Sequence, residues 1–206
     1  PNSPLNNSLH AEQFVSIMTL KNKERLKALA LTAEPCGHCR QFLIEMNEVT
    51  DLDIILPGAL EKKLKQLLPN SFGPKNLGVK TSLYDDRDNH LILTNTKDLL
   101  ALEALKQANL SYAPYTESYS GMAMSVDNDK MVSGFYIENV AFNPSVSPLM
   151  STLAHLRSLD LNYSDIVKVV LVEKKNATIR QEKNIRNILN IISPKVIFEV
   201  YEAMTV

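Results

Sequence analysis

"EPCGHCRQ", residues 34–41, decides how this chain is to be read. Two cysteines three positions apart are either a dithiol redox pair or part of a metal site. Both kinds of site follow a strand and open a helix, because the partial positive charge of a helix N-terminus favours thiolate. The local pattern therefore leaves the two readings open, and the rest of the chain has to separate them.

Composition narrows the field. The chain has 206 residues, 45% hydrophobic and 22% charged, which suits a soluble globular fold of one large or two modest domains. Its 22 basic and 23 acidic residues leave a net charge of −1, so nothing in bulk electrostatics draws it to nucleic acid. No apolar run approaches the roughly 20 residues that span a bilayer, and no secretory signal is visible. Two cysteines make no disulfide framework. The expectation is a cytoplasmic protein with a small-molecule substrate and neither nucleic acid nor membrane as partner.

The elements follow from periodicity. Residues 9–20 suit a helix with Ser8 as its N-cap. "RLKALALTA" (25–33) turns strand-like, "CGHCRQFLIEM" (36–46) reads as a helix with both cysteines in its first turn, and "LDIILPG" (52–58) is a short strand closed by Pro-Gly. "EKKLKQLL" (61–68) reads as an amphipathic helix. Residues 69–95, rich in Pro, Gly and Asn, are expected to link two domains, 1–68 and 96–206. Beyond them come a helix at 97–108, two strands around an Asp-Asn-Asp turn at 127–129, a helix at 148–160, a strand at 166–174, a helix at 180–191 and a strand at 195–201. Helix–strand–helix–strand thus occurs twice, an internal duplication on an α/β layered plan. "YDDRDNH" (84–90) reads as a solvated acidic loop, His155 as a partly buried helix residue, and Met122 and Met124 as core.

Two features outside the motif favour metal over redox chemistry. Redox Cys-x-x-Cys pairs usually follow Trp, whereas this chain has no Trp and carries Pro35 there. "HAE" (10–12) opens the preceding helix, and His-x-Glu followed by Pro-Cys-x-x-Cys is the pattern of zinc-dependent base deaminases. His10, Cys36 and Cys39 supply three tetrahedral ligands, and a hydrolytic site leaves the fourth position to water. Glu12, two residues past His10, stands beside that position as a proton carrier. Arg40 is either an exposed helix residue or a positive charge that damps the two thiolates.

"LHAEQ" with "EPCGHCRQF" resembles cytidine deaminase, and "LPNSFGPKNL" with "GFYIENVAFNPS" resembles its bacterial homodimeric, zinc-dependent type. The resemblance covers essentially the whole chain. It implies two tandem cytidine-deaminase-like α/β/α layered domains, each a mixed sheet flanked by helices, the second a degenerate repeat of the first. It also implies hydrolytic deamination of cytidine and deoxycytidine to uridine and deoxyuridine in pyrimidine salvage, with one Zn2+ per subunit of a homodimer. The Ala11 backbone N–H and the Glu34 carbonyl are implied to read the base. Ala141 and Phe142 match a pair that reaches the partner subunit's substrate.

In the second copy, "PYTESYSGMAM" and "GFYIEN" match the single-copy pattern, but Tyr136 replaces the ribose-binding Asn while Glu138 remains. Ser147 and Leu149 take the ligand and catalytic-Glu positions, and no cysteine follows residue 39, so this copy is catalytically empty. Relatives carry a hairpin and an Asn-x-Glu clamp ahead of His-Ala-Glu, whereas nine residues precede His10 here, so an N-terminally truncated chain is expected. Two other readings stand beside the enzyme: a non-catalytic, zinc-stabilised dimerisation fragment, and a thiol–disulfide oxidoreductase.

Overall fold

The computed structural model describes residues 8–46, 51–127 and 130–206. The chain divides into two compact units, one of Leu9–Asp85 with Glu138–Ser145, the other of Asp86–Ile137 with Val146–Val206.

The first unit carries α1 (Ala11–Lys21), β1 (Ala28–Ala30), α2 (Gly37–Ile44), β2 (Asp53–Ile55), β3 (Lys62–Lys63) and α3 (Leu64–Leu67). β1 and β2 run parallel with Leu29 opposite Ile54, and β3 adds antiparallel to β2. Apolar side chains of α1, α2 and β2, among them Ile17, Phe42, Leu43 and Ile54, are fully buried. The N-cap of α1 is His10, not Ser8. His10 holds an extended backbone while its carbonyl accepts from the Phe14 N–H at 3.0 Å. The helix expected at 61–68 contracts to one turn. Lys62 and Lys63 pair with β2, and Leu68, which precedes Pro69, is pushed out of the helical region. Residues 69–95, expected as linker, carry a 3-10 turn at Pro74–Leu77 in this unit and a short strand of the next.

That second unit contains β4 (Leu91–Ile92), α4 (Leu99–Leu110), β5 (Ser120–Val126), β6 (Lys130–Phe135), α5 (Pro148–Ser158), β7 (Ile166–Lys174), α6 (Glu182–Ile192) and β8 (Ile197–Thr205). The strand order is β4-β8-β7-β5-β6, with β7 and β8 parallel and all other pairs antiparallel. Alternation along the strands sorts two cores. Met122, Met124, Val169 and Leu171 pack with Leu149, Leu153 and Leu156 of α5 and with Ile185, Ile188 and Leu189 of α6. Ala123, Val170 and Val172 pack instead with Leu100, Ala101, Ala104 and Ala108 of α4. The result is a mixed sheet between helices on both faces. Met122 and Met124 are core, as expected; Asn128 and Asp129 of the expected turn lie outside the described residues, while the strands beside them pair in register.

The expected duplication is realised in the order of elements. α1-β1-α2-β2 and α5-β7-α6-β8 each place a helix between two parallel neighbouring strands, the right setting for a crossover.

Two glycines set the helix–sheet spacing in the second unit. A Cβ on Gly121 would lie 2.1 Å from the Ala108 nitrogen of α4, and one on Gly134 would lie 2.4 Å from the Thr152 nitrogen of α5. Backbone cannot yield as a flexible side chain can. We expect Gly121→Ala and Gly134→Ala each to destabilise the chain by about 2 kcal/mol or more, read from the urea midpoint.

Asp98 caps α4, accepting from the Leu100 N–H at 2.9 Å, and also accepts from Lys168 Nζ at 2.9 Å. The Lys168 hydrogen bond, with further help from the Leu100 N–H, holds the Asp98 carboxyl below the usual aspartate range. A depressed folded pKa contributes stability that is present above the unfolded value of about 3.9 and lost as pH falls through the folded one. Stability against urea is therefore expected to drop on acidification below about pH 4, and Asp98→Asn should make that acid limb shallower.

Candidate metal centre

Two helix starts build the site. His10 is the N-cap of α1 and Cys36 the N-cap of α2, with Cys39 in the first turn of α2. α1 and α2 pack against each other, so their N-terminal residues share one region. Cys36 Sγ lies 3.4 Å from His10 Nδ1 and 3.6 Å from Cys39 Sγ. All three donor atoms fall within 4.8 Å of one another, and among the described residues this is the only such group of His, Cys, Asp and Glu.

The donor set fits zinc. Zn–S bonds of about 2.3 Å and Zn–N bonds of about 2.0 Å place tetrahedral neighbours roughly 3.5–3.8 Å apart, and the separations of 3.4 and 3.6 Å at Cys36 Sγ lie close to that range. His10 and Cys36 are exposed while Cys39 is fully buried, so the triad opens on one side. Burial is the main force pushing the Cys39 thiol pKa up, and the neighbouring Cys36 and Glu12 add to it. A bound dication reverses that preference and holds the sulfur as thiolate. Glu12, buried on the first turn of α1, comes up against Cys39 without joining the triad. The His38 ring stands 5.7 Å from the His10 ring, and desolvation followed by His10 lowers its pKa.

Arg40 neither dangles in solvent nor meets the thiolates. Its Nε donates to the Pro35 carbonyl at 2.7 Å, one terminal nitrogen to the Leu67 carbonyl at 2.8 Å and the other to Glu34 at 3.3 Å. The guanidinium thus fastens the residue before Cys36 to the residue after Cys39. Lys62 Nζ holds the second Glu34 oxygen at 2.7 Å, and this hydrogen bond is the first cause of a lowered Glu34 pKa. Glu34 and Ala11 both lie exposed at the mouth of the triad's elements, before α2 and at the first turn of α1.

Ala141 and Phe142 are exposed on the Glu138–Ser145 segment, Phe142 at 64% and with φ +62°. Apart from the resemblance, Phe142 reads as ordinary core; the structure instead holds it outward. Tyr136 and Glu138 are both buried.

The second copy keeps the frame and loses the chemistry. Ser147 caps α5, accepting from the Met150 N–H at 3.2 Å, and Leu149 is fully buried. At the start of α6, where α2 has Cys36, Gln181 donates its N–H to buried Glu173 at 2.5 Å, and Arg180 Nε reaches the same carboxylate at 3.1 Å. A carboxylate from β7 thus places negative charge at this helix N-terminus, where such charge is favourable.

Sequence reading passed over Gln13, Glu45 and Asn139, all polar and almost wholly buried in the first unit. Their partners are backbone groups up to 131 positions away, as for Gln13 and Pro144, and no local spacing signals such a bond.

Family models describing the zinc-binding region of cytidine and deoxycytidylate deaminases match residues 2–52 and 64–186. A cytidine deaminase of Proteus mirabilis (strain HI4320) is 41% identical over 180 residues, 87% of this chain and 61% of its own. One of Salmonella agona (strain SL483) is 41% identical over 175 residues, 84% of this chain and 59% of its own. The chain spans about three fifths of the length of these curated relatives. Among solved structures, a cytidine deaminase from Burkholderia pseudomallei aligns at 18% identity over 52% of this chain and 86% of its own, with TM-score 0.45. A helix-borne His/Cys/Cys triad with an acid beside it, read together with a family model that takes in more than half of the chain, leads to one conclusion: this chain belongs to the cytidine and deoxycytidylate deaminase family, in its zinc-binding region.

Proposed function

We propose that the protein hydrolyses cytidine and deoxycytidine to uridine and deoxyuridine with release of ammonia, as a cytoplasmic enzyme of pyrimidine salvage. The observation that carries this reading is the open triad of His10, Cys36 and Cys39 with Glu12 beside it and outside it. His10, Cys36 and Cys39 would hold the zinc ion, one per subunit, which supplies Lewis-acid activation of water when bound.

The chain's own groups do the rest. Glu12 takes a proton from the attacking water, passes it to ring N3 as the new C4–O bond forms, and returns a proton to the amine as the C4–N4 bond breaks. Water is consumed and ammonia leaves, so the atoms balance. The Ala11 N–H at the start of α1 donates to the base, since the first N–H groups of a helix have no partner within it. The Glu34 carbonyl accepts from it, with Arg40 and Lys62 fixing that residue's side chain. In a homodimer, Ala141 and Phe142 would serve the partner's substrate from their exposed position.

Metal-replete protein should carry about one zinc per chain and deplete cytidine absorbance in the ultraviolet. Glu12→Gln should keep the zinc and lower kcat by about 10²–10⁴-fold. Stoichiometric zinc with no turnover by unsubstituted chain would favour the dimerisation fragment. No zinc, with reversible oxidation of Cys36 and Cys39, would favour thiol–disulfide exchange.

A further inference from the structure

The Glu138–Ser145 segment follows the second-copy hairpin in sequence yet belongs to the unit that holds the triad. Three buried polar side chains bind it there. Gln13 Nε2 donates to the Pro144 carbonyl at 3.3 Å, while Gln13 Oε1 accepts from the His10 N–H at 3.3 Å. Asn139 Nδ2 donates to the Gln41 carbonyl of α2 at 3.1 Å, and the Val140 N–H donates to Glu45 Oε2 at 2.8 Å. One end of the segment is therefore tied to the helix that begins with His10, the other to the helix that begins with Cys36.

These ties are costly to maintain without a use. Glu45 and Asn139 are 0% exposed and Gln13 is 2% exposed. Glu45 also sits as the C-cap of α2, the end where the helix dipole disfavours an anion. A carboxylate there persists only with strong partners. The segment is braced internally as well: the Asn139 N–H donates to Ser145 Oγ at 3.0 Å, the Ala141 N–H to Asn139 Oδ1 at 3.0 Å and the Phe142 N–H to the Asn139 carbonyl at 2.8 Å. A brace with fixed internal geometry, tied to two helices, sets the distance between them.

We infer that Glu138–Ser145 is an intrachain clamp that fixes the His10 arm of the metal site against the Cys36–Cys39 arm, with Gln13, Glu45 and Asn139 as its positioning residues. The inference rests on the metal reading above. It gives the degenerate copy a task inside its own chain, separate from anything that Ala141 and Phe142 do at their exposed tip. Partners that orient metal ligands typically change affinity about 10–100-fold when removed.

The test is zinc affinity, measured by competition with a chromophoric chelator, on chains whose metal-free far-ultraviolet circular dichroism matches the unsubstituted protein. Gln13→Glu keeps the acceptor for the His10 N–H and loses the donor to Pro144. Asn139→Asp keeps the acceptor for the Ala141 N–H and loses the donor to Gln41. Each should weaken zinc binding by about 10-fold or more, while Asn143→Ala, exposed on the same segment, should stay within about twofold. Unchanged affinity in both conservative variants overturns the clamp and leaves the metal site standing. Failure of the unsubstituted chain to bind zinc overturns the metal reading and the clamp together.

Discussion

His10 and Cys36 occupy the same kind of position, the N-cap, on two helices that pack side by side, and everything chemical in this chain depends on that coincidence. A helix start points unpaired N–H groups and partial positive charge at whatever lies before it. Two such starts facing one region bring an imidazole and two sulfurs together, and a bound dication is what would hold the buried sulfur as thiolate. The fold's task is to keep the two starts in register, because a tetrahedral ion tolerates donor displacements of only a few tenths of an ångström. Arg40 does this within the cysteine loop by tying the flanks of the motif to each other and to Leu67.

The triad and the order of elements were legible in the sequence because both are local. Cys-x-x-Cys spacing, His-x-Glu at a helix start and alternation along β5 and β7 are short-range patterns with short-range causes. The start of α1 was misplaced by two residues because Ser8 is the better capping type by residue preference, whereas the backbone turns helical only after His10. The helix expected at 61–68 was overlong because its apolar spacing is genuine but Lys62 and Lys63 are drawn into pairing with β2. Arg40 stayed ambiguous because two of its three acceptors are backbone carbonyls, and a carbonyl at Leu67 leaves no mark on residue type. Residue type alone makes Phe142 core, whereas the resemblance places it at a partner's substrate; it lies exposed, on a left-handed backbone bend.

The two copies show how a frame survives its chemistry. Helix α6 still starts behind a strand beside a parallel neighbour, and it still receives negative charge at its N-terminus, now from Glu173. Helix α5 still carries a polar cap, now a hydroxyl that serves the backbone. In the second copy the electrostatic needs of the helices are met by a hydroxyl and a carboxylate, so the same architecture stands without metal ligands.

Leu149 stands against building the same chemistry in the second copy. Its side chain lies wholly within the α5–α6 core, so a carboxylate introduced there would be buried with no ion to answer it. A histidine at Ser147 would forfeit the hydroxyl that caps α5 and gain no ligand set by itself. The second half of the chain is thus held in its present state by the same packing and capping contacts that keep it folded.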